Sequence, residues 1–116
     1  MIEITLPWPD KALSPNARVH WARKAKAAAM AKNTAYALAH QFRNGDISGE
    51  LFAFKLIFHP PDKRKRDIDN LISSGKNYWD GICLALNIDD SQLWSVTGTW
   101  GEVRKPGAVT VRLEAM

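Results

Sequence analysis

Apolar and polar residues alternate over Ile2-Glu3-Ile4-Thr5-Leu6, which predicts a half-buried strand. Pro7-Trp8-Pro9-Asp10 ends it, because proline cannot donate to a strand ladder. A loop containing Ser14-Pro15-Asn16 follows, over 13–20. From His20 to about Arg43 the chain is rich in Ala, Lys and Arg and free of Gly and Pro, which predicts a helix. Asn44-Gly45-Asp46 is its stop signal. The nearly continuous apolar run over 51–58 reads as a central strand. His59-Pro60-Pro61-Asp62 breaks it, and the basic loop Lys63-Arg64-Lys65-Arg66 comes next. Apolar residues then recur at 68, 71, 72, 79, 82, 83 and 86, the stripe of a second helix over 68–86. Alternation over 92–103 predicts a third strand, with Gly98 or Gly101 at a bulge. Lys105-Pro106-Gly107 reads as a turn into a final strand over 108–114, paired as a hairpin with the third. The order β-α-β-α-β-β implies an α/β or α+β fold, with a small mixed sheet and two main helices.

At 116 residues the chain is sized for one domain, spanning 1–116. Near-average apolar (46%) and charged (24%) fractions argue against disorder. A single cysteine excludes an internal disulfide framework and a cysteine-based zinc site, and Cys83 sits on the apolar stripe as a core residue. No apolar run is long enough to cross a bilayer, so no membrane partner is expected. The N-terminal segment lacks the features of a signal peptide, and a cytoplasmic location is expected.

Charge changes the picture. Sixteen Lys and Arg against twelve Asp and Glu give a net charge of +4. Lys11, Arg18, Arg23, Lys24, Lys26, Lys32 and Arg43 occur in a stretch with no acid, and the tetrapeptide 63–66 is wholly basic. Five acids then fall between Asp67 and Asp90. Basic surface beside a compact acidic group points to a polyanion partner, with acids placed to act on it.

The four bases end in Asp67-Ile68-Asp69-Asn70. In an extended stretch carboxylates two residues apart share a face. Two such groups repel unless a cation lies between them, and Mg²⁺ typically takes one or two carboxylates plus water and phosphate. Asp89-Asp90 offers further oxygens. A plainer reading makes Asp67 or Asp69 a helix cap and Asp89-Asp90 ordinary loop acids. Asp69, Ser73, Lys76 and Asp80 fall on one helical face, so Lys76 either points toward Asp69 or pairs with Asp80. Trp8 and Trp21 read as core residues that could alternatively stack on opened bases; Trp79, Trp94 and Trp100 read as core or interface.

These residues resemble the RusA-type Holliday-junction resolvases. The opening strand with Leu6-Pro7-Trp8-Pro9 and the loop of Ser14-Pro15-Asn16, Arg18 and His20 look like that family's start. More specific is Arg66-Asp67-Ile68-Asp69-Asn70, followed about twenty residues on by Asp89-Asp90-Ser91-Gln92. The resemblance implies a homodimeric, Mg²⁺-dependent endonuclease, with Mn²⁺ as a substitute and no small-molecule cofactor. Its substrate would be four-way DNA junctions, cut by paired symmetric nicks in recombination and repair. Asp67, Asp69 and Asp90 would be the catalytic, metal-holding acids. The family's lysine position is occupied by Ser73, and Lys76, three residues on, is the nearest lysine. Asn16, Arg18, His20, Arg23, Lys24, Lys63, Arg64, Lys65, Arg66 and Asn70 would contact DNA.

Were 70–86 a single helix, it would span about 25 Å and hold Asp90 away from Asp69 of its own chain. In a two-fold dimer, Asp90 of one chain could instead meet Asp67 and Asp69 of the other. The alternative is a helix that breaks early, at Gly75 or Gly81. Two alternatives differ in class: a non-catalytic basic DNA-binding protein, and a metal nuclease for another branched or single-stranded DNA.

Overall fold

The computed structural model of the protein describes residues 1–43 and 51–116; the stop signal at 44–46 lies outside them. Four strands form one sheet: β1 (Ile2–Pro7), β2 (Phe52–His59), β3 (Leu93–Trp100) and β4 (Ala108–Ala115). Three helices cover one of its faces: α1 (Trp21–His40), α2 (Ile68–Ser74) and α3 (Lys76–Leu86). The mixed α+β architecture and the central place of β2 are as the residue pattern predicts. The strand order is β1-β4-β2-β3, with β2 antiparallel to β4 and parallel to β3.

Phe52, Phe54, Leu56 and Phe58 all point from β2 into the core, each burial contributing roughly 1.5–3 kcal/mol. Ile2, Ile4 and Leu6 of β1 and Val109, Val111 and Leu113 of β4 join them. The opposite face is polar and carries the cross-strand ion pairs Glu3–Arg112 and Lys55–Glu114. This alternation is what one buried and one solvated sheet face require.

Two sequence expectations are corrected. The last two strands do not pair as a hairpin, because β2 lies between them. The segment 101–107 crosses the end of β2, where the Gly101 N–H donates to the Phe58 carbonyl (2.8 Å) and the Arg104 N–H to the Pro60 carbonyl (2.9 Å). The sheet's irregularity also sits elsewhere: Phe52 and Ala53 face Leu93 and Ser95, so Trp94 is the extra residue, not Gly98 or Gly101. Trp94 is consequently exposed on the edge strand.

The second helix is not continuous. It breaks at Gly75, so that α2 lies against β3 while α3 packs along α1. The α1–α3 contact is close because its buried residues are small: Ala35 and Ala39 on one helix, Gly81 on the other. A Cβ at Gly81 would overlap the Lys32 carbonyl group. Asn87 ends α3 in the left-handed conformation (φ 56°), a common helix stop. The buried Tyr78 hydroxyl donates to the Pro7 carbonyl (2.6 Å), tying α3 to the end of β1. No described helix is long and apolar enough to cross a membrane.

Gly81→Ala should lower stability by about 1–3 kcal/mol in urea unfolding, since the added methyl must displace backbone. Gly75→Ala should stay within about 0.5 kcal/mol of wild type, because a Cβ there meets only ordinary contacts, at 3.4 Å or more. Burial pushes the Tyr78 hydroxyl up to about 12, from an ordinary 10.0. Its contribution is therefore intact below pH 10 and is lost as pH rises through 12. Burial also pushes the Cys83 thiol up to about 12, adding to the same alkaline loss. Tyr78→Phe should make the pH 10–12 decline in melting temperature shallower.

Candidate functional site

β1 and β2 are both antiparallel to β4, and β3 is parallel to β2, so the carboxyl ends of β1, β2 and β3 lie at one edge of the sheet. In open α/β sheets that edge is where ligands bind. The loops that leave these strands build three adjoining hollows there. The first, about 550 Å³, lies between the basic loop and Trp100. A second, about 450 Å³, runs beside Trp8, Asp10 and Asn70 and shares Arg66 and Asp67 with the first. The third, about 310 Å³, holds Asn16 and Arg18 and shares Lys11 and Ser14 with the second. Residues far apart in sequence thus line one groove, with Asp67 at the junction of its two larger parts.

The basic loop is ordered by Asp62. Its carboxylate accepts from the Arg64 N–H (3.0 Å) and from the guanidinium groups of Arg64 and Arg66, the latter at 2.8 Å. The Arg64 backbone donor, then the two guanidinium groups, hold Asp62 well below the usual carboxylate range. Arg66 also donates to the carbonyls of Asp62 and Arg64 and lies 5.5 Å over the Trp8 ring. Trp8 in turn meets the buried Phe58 edge-on, and its Cβ lies 2.9 Å from where a Cβ at Gly107 (φ 102°) would sit. Arg66 is therefore a fixed wall. Lys63 and Lys65 are exposed, with no acidic partner among the described residues.

Asp67 is the N-cap residue of α2, yet its side chain makes no capping hydrogen bond. Asp69 lies in the first helical turn and accepts the Asn70 N–H at 3.0 Å. The pair is thus not one extended stretch, as the spacing suggested: only Asp67 is extended, and the helix begins between the two acids. Asp69 does part of what the capping reading assigns to it. Asn70 lines the second hollow, and its carbonyl accepts from the Ser74 hydroxyl (2.8 Å).

Asp90 lies elsewhere. It lines a hollow of about 330 Å³ with Lys76, Asp80 and Asp89, which shares no lining residue with the groove. Lys76 is directed to Asp80 at 3.0 Å, the ion pair that the spacing allowed, rather than toward Asp69. The break at Gly75 separates them. Asp89 caps the turn before β3 by accepting from the Ser91 hydroxyl and N–H, and these bonds lower its pKa. Among the described residues no group of three or more His, Cys, Asp or Glu converges to hold a metal ion.

The other expected contacts are on the surface. His20 caps α1, with Nδ1 accepting from the Ala22 N–H (3.1 Å), and its ring lies against Trp21. Arg23 pairs loosely with Asp10 (3.6 Å), while Arg18 and Lys24 are exposed. Trp21 is 76% exposed and so is not a core residue, contrary to expectation; Trp94 and Trp100 are also exposed, at 63% and 46%. Trp79 packs against the core and Cys83 lies within it, as predicted. Trp100 was legible only as an aromatic on an alternating strand; its exposure follows from β3 being an edge strand.

Charge pairing divides the acids. Glu3, Asp10, Asp62, Asp80, Glu102 and Glu114 each form an ion pair with Lys or Arg. Among the described residues, Asp67, Asp69, Asp89 and Asp90 form none, although Asp67 adjoins a basic tetrapeptide.

No family model matches the chain. An "Uncharacterized protein" of Xylella fastidiosa is 40% identical over 117 residues, covering 97% of this chain and 76% of that protein. The match spans the sheet, the helices and both acidic segments, and the chain belongs to the same family as that Xylella protein.

Proposed function

We propose that the chain is a Mg²⁺-dependent, structure-specific endodeoxyribonuclease of the RusA type. It works as a homodimer, resolving four-way DNA junctions by paired symmetric nicks, with Mn²⁺ able to replace Mg²⁺. The observation that carries this reading is the division of charge. The acids of Asp67-Ile68-Asp69 and Asp89-Asp90 are the described carboxylates left without a cationic side chain. Asp67 lines the basic groove, and an unpaired carboxylate there is suited to a cation that arrives with a phosphodiester.

The donor set fits a hard divalent ion. Asp67 and Asp69 supply the one or two carboxylates that Mg²⁺ takes, with coordination left for water and phosphate. Asp90 supplies a third carboxylate from the partner subunit, since in its own chain it lines a separate hollow. The cation supplies water activation and stabilises charge that develops on the phosphate and leaving oxygen. The chain's own part is positioning. Asp62 holds Arg66 in the groove wall, and Lys63, Arg64 and Lys65 neutralise backbone phosphates on one side of Asp67. Beyond the second hollow Asn16 donates to phosphate and Arg18 neutralises it, with His20, Arg23 and Lys24 on the adjoining turn and helix start. Asn70 faces the groove, placed to orient a carboxylate or donate to phosphate. Lys76 belongs to the Asp90 side of the composite site, where release from Asp80 lets it donate to a phosphate.

Cleavage of a synthetic four-way junction should need Mg²⁺ or Mn²⁺. Asp67→Asn, Asp69→Asn and Asp90→Asn should each lower cleavage by roughly 100-fold or more while junction binding stays intact or improves. Junctions shifted but never nicked by wild type in Mg²⁺ would leave only a DNA-binding protein, and flaps cut in preference to junctions would change the substrate. Mixed dimers test sharing of the site. Asp69→Asn chains combined with Asp90→Asn chains should recover nicking of one strand, through the one site that keeps both residues. No recovery would place all three acids in one chain.

A further inference from the structure

The proposed chemistry does not use Trp100. It is the last residue of β3, opposite Phe58 of β2 and on the helix-covered face of the sheet. The fully buried Phe58 ring meets it edge-on, with centroids 6.4 Å apart, so one side of the indole is held by the core. The rest of it forms a wall of the 550 Å³ cleft opposite the basic loop. The edge position of β3 leaves Trp100 46% exposed, with part of its surface in the wall of the basic cleft.

Both walls of this cleft are fixed before anything binds. The segments leaving β2 and β3 are joined by the Gly101 and Arg104 N–H groups bonding to the Phe58 and Pro60 carbonyls. The buried His59 at the end of β2 also ties the segment after β3 to the sheet. Its Nδ1 donates to the Glu102 carbonyl (3.1 Å), and its Nε2 lies 3.3 Å from the Thr110 hydroxyl. On the opposite wall, Asp62 locks Arg64 and Arg66, whereas Lys63 and Lys65 have no acidic partner among the described residues. A fixed aromatic face across from unpaired cations has the chemistry of a single-stranded nucleotide site: a base stacks and the flanking phosphates meet the lysines. The volume lies within the roughly 300–1,000 Å³ typical of clefts that enclose a small ligand. A paired base within a duplex cannot offer its face to such a wall.

We propose that the cleft between Trp100 and the loop 62–67 receives an unpaired DNA base, stacked on the indole, with Lys63 and Lys65 on the adjacent phosphates. This rests on the DNA reading above. It adds that the protein selects strands already opened beside Asp67, which lines the same cleft.

The test is fluorescence anisotropy in EDTA, where no cleavage occurs, with a labelled duplex and the same duplex carrying one unpaired thymine. Wild type should bind the bulged duplex roughly ten-fold more tightly. Trp100→Leu should abolish that preference while changing affinity for the intact duplex by less than about two-fold, because phosphate contacts remain. Trp100→Phe, which keeps a stacking face, should retain most of it. Unaltered melting temperatures would show that the variants fold. A preference that survives in Trp100→Leu, or equal weakening on both DNAs, would overturn the base site and leave the nuclease reading standing. Failure of wild type to bind a four-way junction as well as these two DNAs at low salt would overturn both.

Discussion

The structure depends on the burial of β2. Phe52, Phe54, Leu56 and Phe58 bury its helix-facing side, and a strand sunk in the core needs its backbone groups paired on both edges. β4 takes one edge antiparallel and β3 takes the other in parallel. A parallel partner cannot be reached by a tight turn, and the crossover uses α2 and α3. That crossover brings the ends of β2 and β3 to one edge of the sheet, where β1 also ends. The groove is thus a consequence of how the central strand is paired. Trp8, the basic loop, Asp67 and Trp100 meet there because three strands run the same way.

Within the groove, charge is sorted rather than neutralised. Asp62 binds Arg64 and Arg66, and the adjoining Asp67 forms no ion pair among the described residues. Elsewhere the acids are matched across the sheet or along the chain, as in Glu3–Arg112 and Lys76–Asp80. Exposed pairs of this kind contribute little to stability, so their value as evidence lies in which acids they omit. The omitted acids belong to the two segments that resemble the RusA-type motif. Asp67 and Asp90 nevertheless line different hollows, which is why the proposed chemistry calls for a second subunit.

Much of the fold is legible in the sequence because local pattern reports burial. Alternation marks β1, the apolar run marks β2, and the Ala-rich stretch marks α1. Pairing is not local. The last two strands are separated by a short segment with Pro106-Gly107, which reads as a hairpin turn, and only the demand of β2 for a second partner splits them. The sequence offers Gly75 and Gly81 as break points but does not choose between them, because the apolar stripe continues across both; the break falls at Gly75, where α2 packs on β3 and α3 on α1. Trp21, Trp94 and Trp100 look like core residues by type, and only the helix start and the sheet edge show why they remain exposed. The acidic segments were legible as a motif. Their lack of partners was not, since Glu3 finds Arg112 across 109 residues.

The central claim is that Asp67, Asp69 and Asp90 are unpaired because a divalent cation belongs there. Paramagnetic line broadening tests it directly: Mn²⁺ is added in small amounts to isotopically labelled protein, and the amide signals are followed. The account predicts selective loss of signals around Asp67–Asn70 and Asp90–Ser91, reversed by excess Mg²⁺ and absent from the Asp67→Asn, Asp69→Asn double variant. Broadening no stronger there than around Glu3, Glu102 and Glu114, whose carboxylates are already paired, would contradict it.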